Sequence, residues 1–90
     1  VPPYDPEKDA RNQKLHGLSL AFGAEVIADP YSVEAIDDRF DYGEVRWNVL
    51  GLVGGRVYVA TYTDRDDGAR FISVREATKK ETDLYYRMRG

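Results

Sequence analysis

The sequence predicts an α+β domain: a mainly antiparallel sheet of about four strands, two N-terminal helices and one C-terminal helix, in two layers. Three observations carry this. Ninety residues make a single domain, residues 1–90, with room for one core. Tight-turn signals divide residues 44–74 into three strand-like runs, which therefore pair antiparallel. Helix-capping signals stand on both sides of that meander.

Taken in order, Val1–Tyr4 reads as a short edge strand, because Pro2 and Pro3 forbid a central one. Asp5-Pro6-Glu7 starts a helix, with Asp5 accepting from a free backbone N–H and Pro6 losing nothing at the first helical position. Glu7 and Asp9 suit its positive end, and Lys14 and His16 its negative end. The helix runs from Pro6 to about Leu15, and Gly17 ends it. Its apolar content is slight, Ala10 and Leu15, so most of it faces water. Ser19 caps a second helix from about Leu20 to Ile27, broken by Asp29-Pro30. Tyr31–Ile36 alternates as a strand does, and Asp37–Gly43 is a charged loop.

Glu44–Val53 alternates most clearly, with Val45, Trp47 and Val49 on one face and Glu44, Arg46 and Asn48 on the other. Gly54-Gly55 fits a two-residue hairpin turn. Arg56–Thr63 returns as a strand, Asp64–Gly68 turns again, and Ala69–Val74 is the last strand. Thr78-Lys79-Lys80-Glu81 is a capping box opening a helix to about Met88, with Leu84, Tyr85 and Met88 on its apolar side. The helices cover one face of the sheet, and part of the other is left to solvent.

Composition narrows the function. Apolar residues are 42% and charged residues 32%, as in an ordinary soluble globule. No apolar run approaches the roughly 20 residues of a membrane span, and no signal peptide is visible. Cysteine is absent and histidine occurs once, which excludes disulfides, thiolate chemistry and Cys- or His-rich metal sites. No cofactor is expected, and the expected compartment is the cytoplasm.

The charge is uneven. Thirteen basic and 16 acidic side chains sum to -3. Residues 1–43 carry 4 basic and 9 acidic groups, and residues 44–90 carry 9 and 7. Coating of DNA by long-range attraction is therefore disfavoured, whereas a local cluster around one phosphate is compatible with this balance. The acidic half would also suit a basic protein partner.

Several side chains carry candidate chemistry. Glu44 and Arg46 share a strand face, either as an incidental surface ion pair or as a carboxylate base beside a fixed guanidinium. Arg70 and Arg75, five apart, point to opposite faces of a regular strand and converge only at a turn, bulge or strand end. Each also reads as a surface arginine covering apolar neighbours. His16 is either a helix C-terminal imidazole or a proton carrier near neutral pH. Lys79 and Lys80 stand at the helix end that the dipole disfavours for cations, a weak hint of an anion or acidic partner. Trp47, Tyr58 and Tyr62 read as core rather than base-stacking platforms. No phosphate-cradling glycine loop, Ser/His/Asp set or EF-hand pattern is present.

From Tyr4 to Tyr86 the chain resembles the BrnT family of bacterial type II toxins. The marks are Tyr4-Asp5-Pro6 with Lys8 and Asn12, His16-Gly17, Asp29-Pro30, Gly43-Glu44-Val45-Arg46, and Arg70 through Thr78 with Glu81 and Tyr85 or Tyr86. One position departs: the family usually has Lys before its His-Gly, and here Leu15 stands there, with Lys14 about 100° around the helix. The resemblance implies a RelE-like fold and metal-independent RNA cleavage that halts translation. It also implies a cognate antitoxin with a ribbon-helix-helix domain, through which alone DNA would be contacted in operon repression. On that reading His16 or Glu44 is the acid or base, and Arg46, Arg70 and Arg75 hold the phosphate. Lys14, Lys79 and Lys80 assist, no metal takes part, and the antitoxin covers the Glu44/Arg46 face or the first helix. The alternative is a catalytically weakened module that chiefly binds the antitoxin. A free-standing RNA-binding domain is disfavoured by the negative total charge.

Overall fold

The structure, a computed structural model, describes residues 3–39, 41 and 43–89. Helix α1 (Pro6–His16) starts where Asp5 accepts from the Glu7 N–H at 2.9 Å, and it ends at Gly17, whose φ of 70° is the left-handed cap. The second predicted helix is two pieces, a 3₁₀ turn at Leu20–Phe22 and α2 at Gly23–Ile27. The Ser19 hydroxyl caps it by accepting from the Ala21 N–H. Four strands follow: β1 (Val33–Ile36), β2 (Trp47–Val53), β3 (Arg56–Arg65) and β4 (Gly68–Glu76), and then α3 (Lys79–Arg89). The sheet order is β1-β2-β3-β4, antiparallel throughout. The expected α+β class and four-stranded sheet hold.

Three details of the strands and their turns differ from the expectation. The first predicted strand lies partly outside the described residues, and what remains is a single parallel bridge from Tyr4 to Phe71, with Pro3 O accepting from Phe71 N at 2.8 Å. β2 begins at Trp47 rather than Glu44. Gly43 bends the chain with a φ of 72°, and both Glu44 and Arg46 lie in the loop before β2 and not on one regular strand face as expected. The second hairpin is tighter than expected, with Arg65 paired to Gly68.

Two clusters form the core, one on each face of the sheet. Leu20, Val26, Ala60, Phe71 and Val74 lie between the sheet and the α1–α2 layer. Gly51 is required here, because a Cβ would overlap the Val26 carbonyl oxygen. Leu50, Val57, Val59 and Tyr85 form the second cluster under α3. The C-terminal helix therefore packs on the opposite face from the N-terminal helices, at one end of the sheet, and not on the same face as the sequence predicts, because Tyr85 is buried against Leu50, Val57 and Val59. Tyr85 is fully buried and its hydroxyl donates to Asp29, while Leu84 and Met88 of the expected apolar side are exposed. One polar side chain docks α1. Buried Asn12 donates to the carbonyls of Leu18 and Val74, both at 2.8 Å, and accepts from the Val74 N–H at 3.1 Å.

Candidate functional site

The face of the sheet that α3 covers only in part carries three cross-strand rows, read from the ladder register. Val33, Leu50, Val59 and Arg75 are aligned in one. Ala35, Asn48, Thr61 and Ser73 are aligned in the next. Beyond them Thr63 pairs with Arg70, and the Thr63 hydroxyl donates to the Val45 carbonyl, next to Arg46. The face thus carries an apolar row ending in Arg75, a hydroxyl and amide row, and beyond it Thr63 and Arg70.

Arg70 and Arg75 share this face because β4 is irregular. Consecutive Thr61 and Tyr62 pair with Ser73 and Phe71, leaving Ile72 as an extra residue in a β-bulge. Five residues of sequence thereby span four positions of the ladder. Arg70 and Arg75 face partners Thr63 and Val59, which lie on one side of β3.

Two grooves meet on this surface. One, of about 420 Å³, is floored by the apolar and polar rows and bounded by Asp37, Arg39, Arg46, Arg75, Glu81 and Leu84. The other, of about 340 Å³, lies between α1 and β4 and is lined by Lys8, Arg11, Asn12, Leu15, His16, Arg46, Ile72 and Ser73. Arg46, Ile72 and Ser73 line both. Lys8, Arg11, Arg39, Arg46 and Arg75 outnumber the carboxylates of Asp37 and Glu81 there, in a chain of net charge -3.

The guanidiniums are held in place. Glu81 takes Arg75 in a two-pronged bond, 2.7 and 2.9 Å, and also accepts from the Thr78 N–H at 2.8 Å. The bond from Arg75 holds the Glu81 carboxyl down at about 2, against the opposing effect of burial and with help from Thr78. The same bond raises Arg75, while burial and the nearby charge of Arg39 oppose it. Asp37 grips Arg39 in the same two-pronged way, at 2.8 and 2.9 Å. Glu44 lies 3.5 Å from Arg46 and 3.5 Å from Arg65.

Of the residues singled out in the sequence, His16 and Arg46 line one groove and Arg46 and Arg75 the other. Glu44 braces Arg46 from the loop, and Arg70 shares the face through the register. Lys14, Lys79 and Lys80 are exposed and line neither groove, and Lys79 pairs with Asp83 at 3.0 Å. Lys8, Arg11 and Arg39 were missed. The first two had a readable signal, since positions 8, 11, 12, 15 and 16 form one helical stripe. Arg39 sits in an irregular loop, which has no period to reveal it.

In an acidic chain, Lys8, Arg11 and Arg46 thus stand around the groove that His16 lines, and Arg39, Arg46 and Arg75 around the groove beside it. Residues 4–81 match the family described as the ribonuclease toxin, BrnT, of type II toxin–antitoxin systems. The chain belongs to that family, and a protein antitoxin partner follows from membership. No curated protein matches the chain. Among the described residues no helix is long and apolar enough to cross a membrane.

Proposed function

We propose that this chain is an endoribonuclease that cleaves RNA without a metal and thereby arrests translation in the cytoplasm. The observation that carries the reading is that His16 and Arg46, far apart in sequence, line the same groove. RNA supplies its own nucleophile. The 2′-oxygen attacks the adjacent phosphorus, the O2′–P bond forms and the P–O5′ bond breaks. The products are a 2′,3′-cyclic phosphate and a 5′-hydroxyl. His16 takes the 2′-proton and returns it to the leaving oxygen. Arg46 neutralises the phosphorane oxygens, which its planar fork fits. Glu44, ion-paired to Arg46 and Arg65, steadies Arg46. Arg70, Arg75, Lys8 and Arg11 bind flanking phosphates.

The antitoxin carries a ribbon-helix-helix domain, and one of its segments blocks the joined grooves. DNA is reached only through that partner. The test is expression without the partner, with growth and RNA integrity followed for wild type and for folded Arg46→Ala, Arg70→Ala and Arg75→Ala variants. Wild type arrests growth and degrades RNA, and Arg46→Ala does neither. Full activity in all three variants rejects the assignment.

A second reading rests on Leu15. It lines the groove beside His16, where the family usually has Lys, so phosphate binding is weaker there. On that reading the chain chiefly binds the antitoxin in operon repression. It then copurifies with the partner but leaves growth and RNA intact when expressed alone.

A further inference from the structure

Next to the groove that holds His16 lies a second one with a different character. It offers an apolar floor from Val33, Leu50 and Val59, an apolar wall from Leu84, and beside them the amide and hydroxyl row of Asn48, Thr61 and Ser73. We propose that this groove is a nucleobase site: it receives the base of one nucleotide flanking the scissile phosphate, and Asn48, Thr61 and Ser73 read that base's polar edge. The inference rests on the ribonuclease reading and adds sequence preference to it.

Size, charge and hydrogen bonding point the same way. About 420 Å³ suits one nucleoside, within the range of small-ligand sites. The rim carries Arg39, Arg46 and Arg75 against the carboxylates of Asp37 and Glu81, a positive balance that fits a phosphate-linked ligand, with Arg46 the guanidinium that also lines the neighbouring groove. Base faces are apolar and base edges are polar, and the floor is divided in that manner. Thr61 Oγ1 donates to Asn48 Oδ1 at 2.6 Å. That bond orients the amide, so its N–H₂ is presented as donor and the Thr61 oxygen as acceptor. A fixed donor beside a fixed acceptor distinguishes bases, because a base with the wrong edge leaves both unpaired. Arg46, Ile72 and Ser73 line both grooves, so a base in one lies beside a phosphate in the other.

The test uses the whole chain and two readouts. The four 3′-nucleoside monophosphates are titrated by calorimetry against wild type, Asn48→Ala and Ser73→Ala, with Thr61→Val as a volume-conserving variant should Asn48→Ala not fold. Cleavage is followed on an RNA containing every dinucleotide step. One base should bind about tenfold tighter than the weakest, as expected for a well-made contact to a base edge. The substitutions should bring the four within about threefold, with cleavage sites becoming less selective. Equal binding of the four, no binding, or an ordering unchanged in every variant overturns the base site. If cleavage depends on Arg46 but shows no base ordering, the ribonuclease reading stands and the base site falls. Ordered binding without any cleavage does the reverse.

Discussion

Asn12 does for α1 what apolar packing does elsewhere, since the helix has no other buried side chain. Replacing it by Ala strands the Val74 N–H and two carbonyls, and the expected cost is about 3 kcal/mol, read as a lower urea midpoint. Asn12→Asp should be worse, because a carboxylate has no proton for those carbonyls. Leu15 is 69% exposed, so Leu15→Lys adds a cation to the groove without loss of core. RNA should bind several-fold tighter at low salt, by filter binding or fluorescence anisotropy. At this scale the sequence was partly legible. His16 and Arg46 stand out by residue type and position. The Lys8–Arg11–Asn12 stripe has the right period but polar residues, and a search for apolar periodicity passes over it.

The strand β4 shows what local pattern can and cannot tell. Alternation predicts opposite faces for Arg70 and Arg75, and it fails because one unpaired residue, Ile72, resets the phase. No residue type marks that bulge. The β2–β3 turn was legible, because Gly54 and Gly55 both need positive φ, 57° and 86°. The cap of α3 was legible too, and it gives a pH prediction. The carboxyl of Glu81 sits at about 2 when folded against an ordinary 4.5. Its contribution is therefore complete above the unfolded value and is lost as pH falls from 4.5 through about 2. Glu81→Gln can still cap the helix, but it loses the charge of the two-pronged bond to Arg75 and should lower stability at neutral pH by about 1 kcal/mol. It should also flatten the fall in thermal midpoint over that acid window. Gly51→Ala, which drives a methyl into the Val26 carbonyl, should cost up to about 3 kcal/mol by overpacking and separate α2 from the sheet.

For the whole molecule, helices pack on both faces of the sheet, and among the described residues five cations, Lys8, Arg11, Arg39, Arg46 and Arg75, line the two joined grooves although the chain as a whole is acidic. Hydrophobic periodicity revealed the elements, but not that α3 would cross to the other face. That choice is made by the long-range Tyr85–Asp29 contact and the Leu50–Val59 cluster. Because few cations act and the remainder of the surface repels RNA, binding should depend on salt only moderately. A plot of log affinity against log salt should have a slope of about -2 to -3, matching three or four phosphates on a single strand. The most direct test is single-turnover cleavage of an RNA oligonucleotide in excess chelator, with the product ends identified by mass spectrometry. Wild type should leave a 2′,3′-cyclic phosphate and a 5′-hydroxyl, and folded Arg46→Ala should be slower by about 100-fold or more. Cleavage that stops on chelation, or that runs at the wild-type rate without Arg46, would contradict the account.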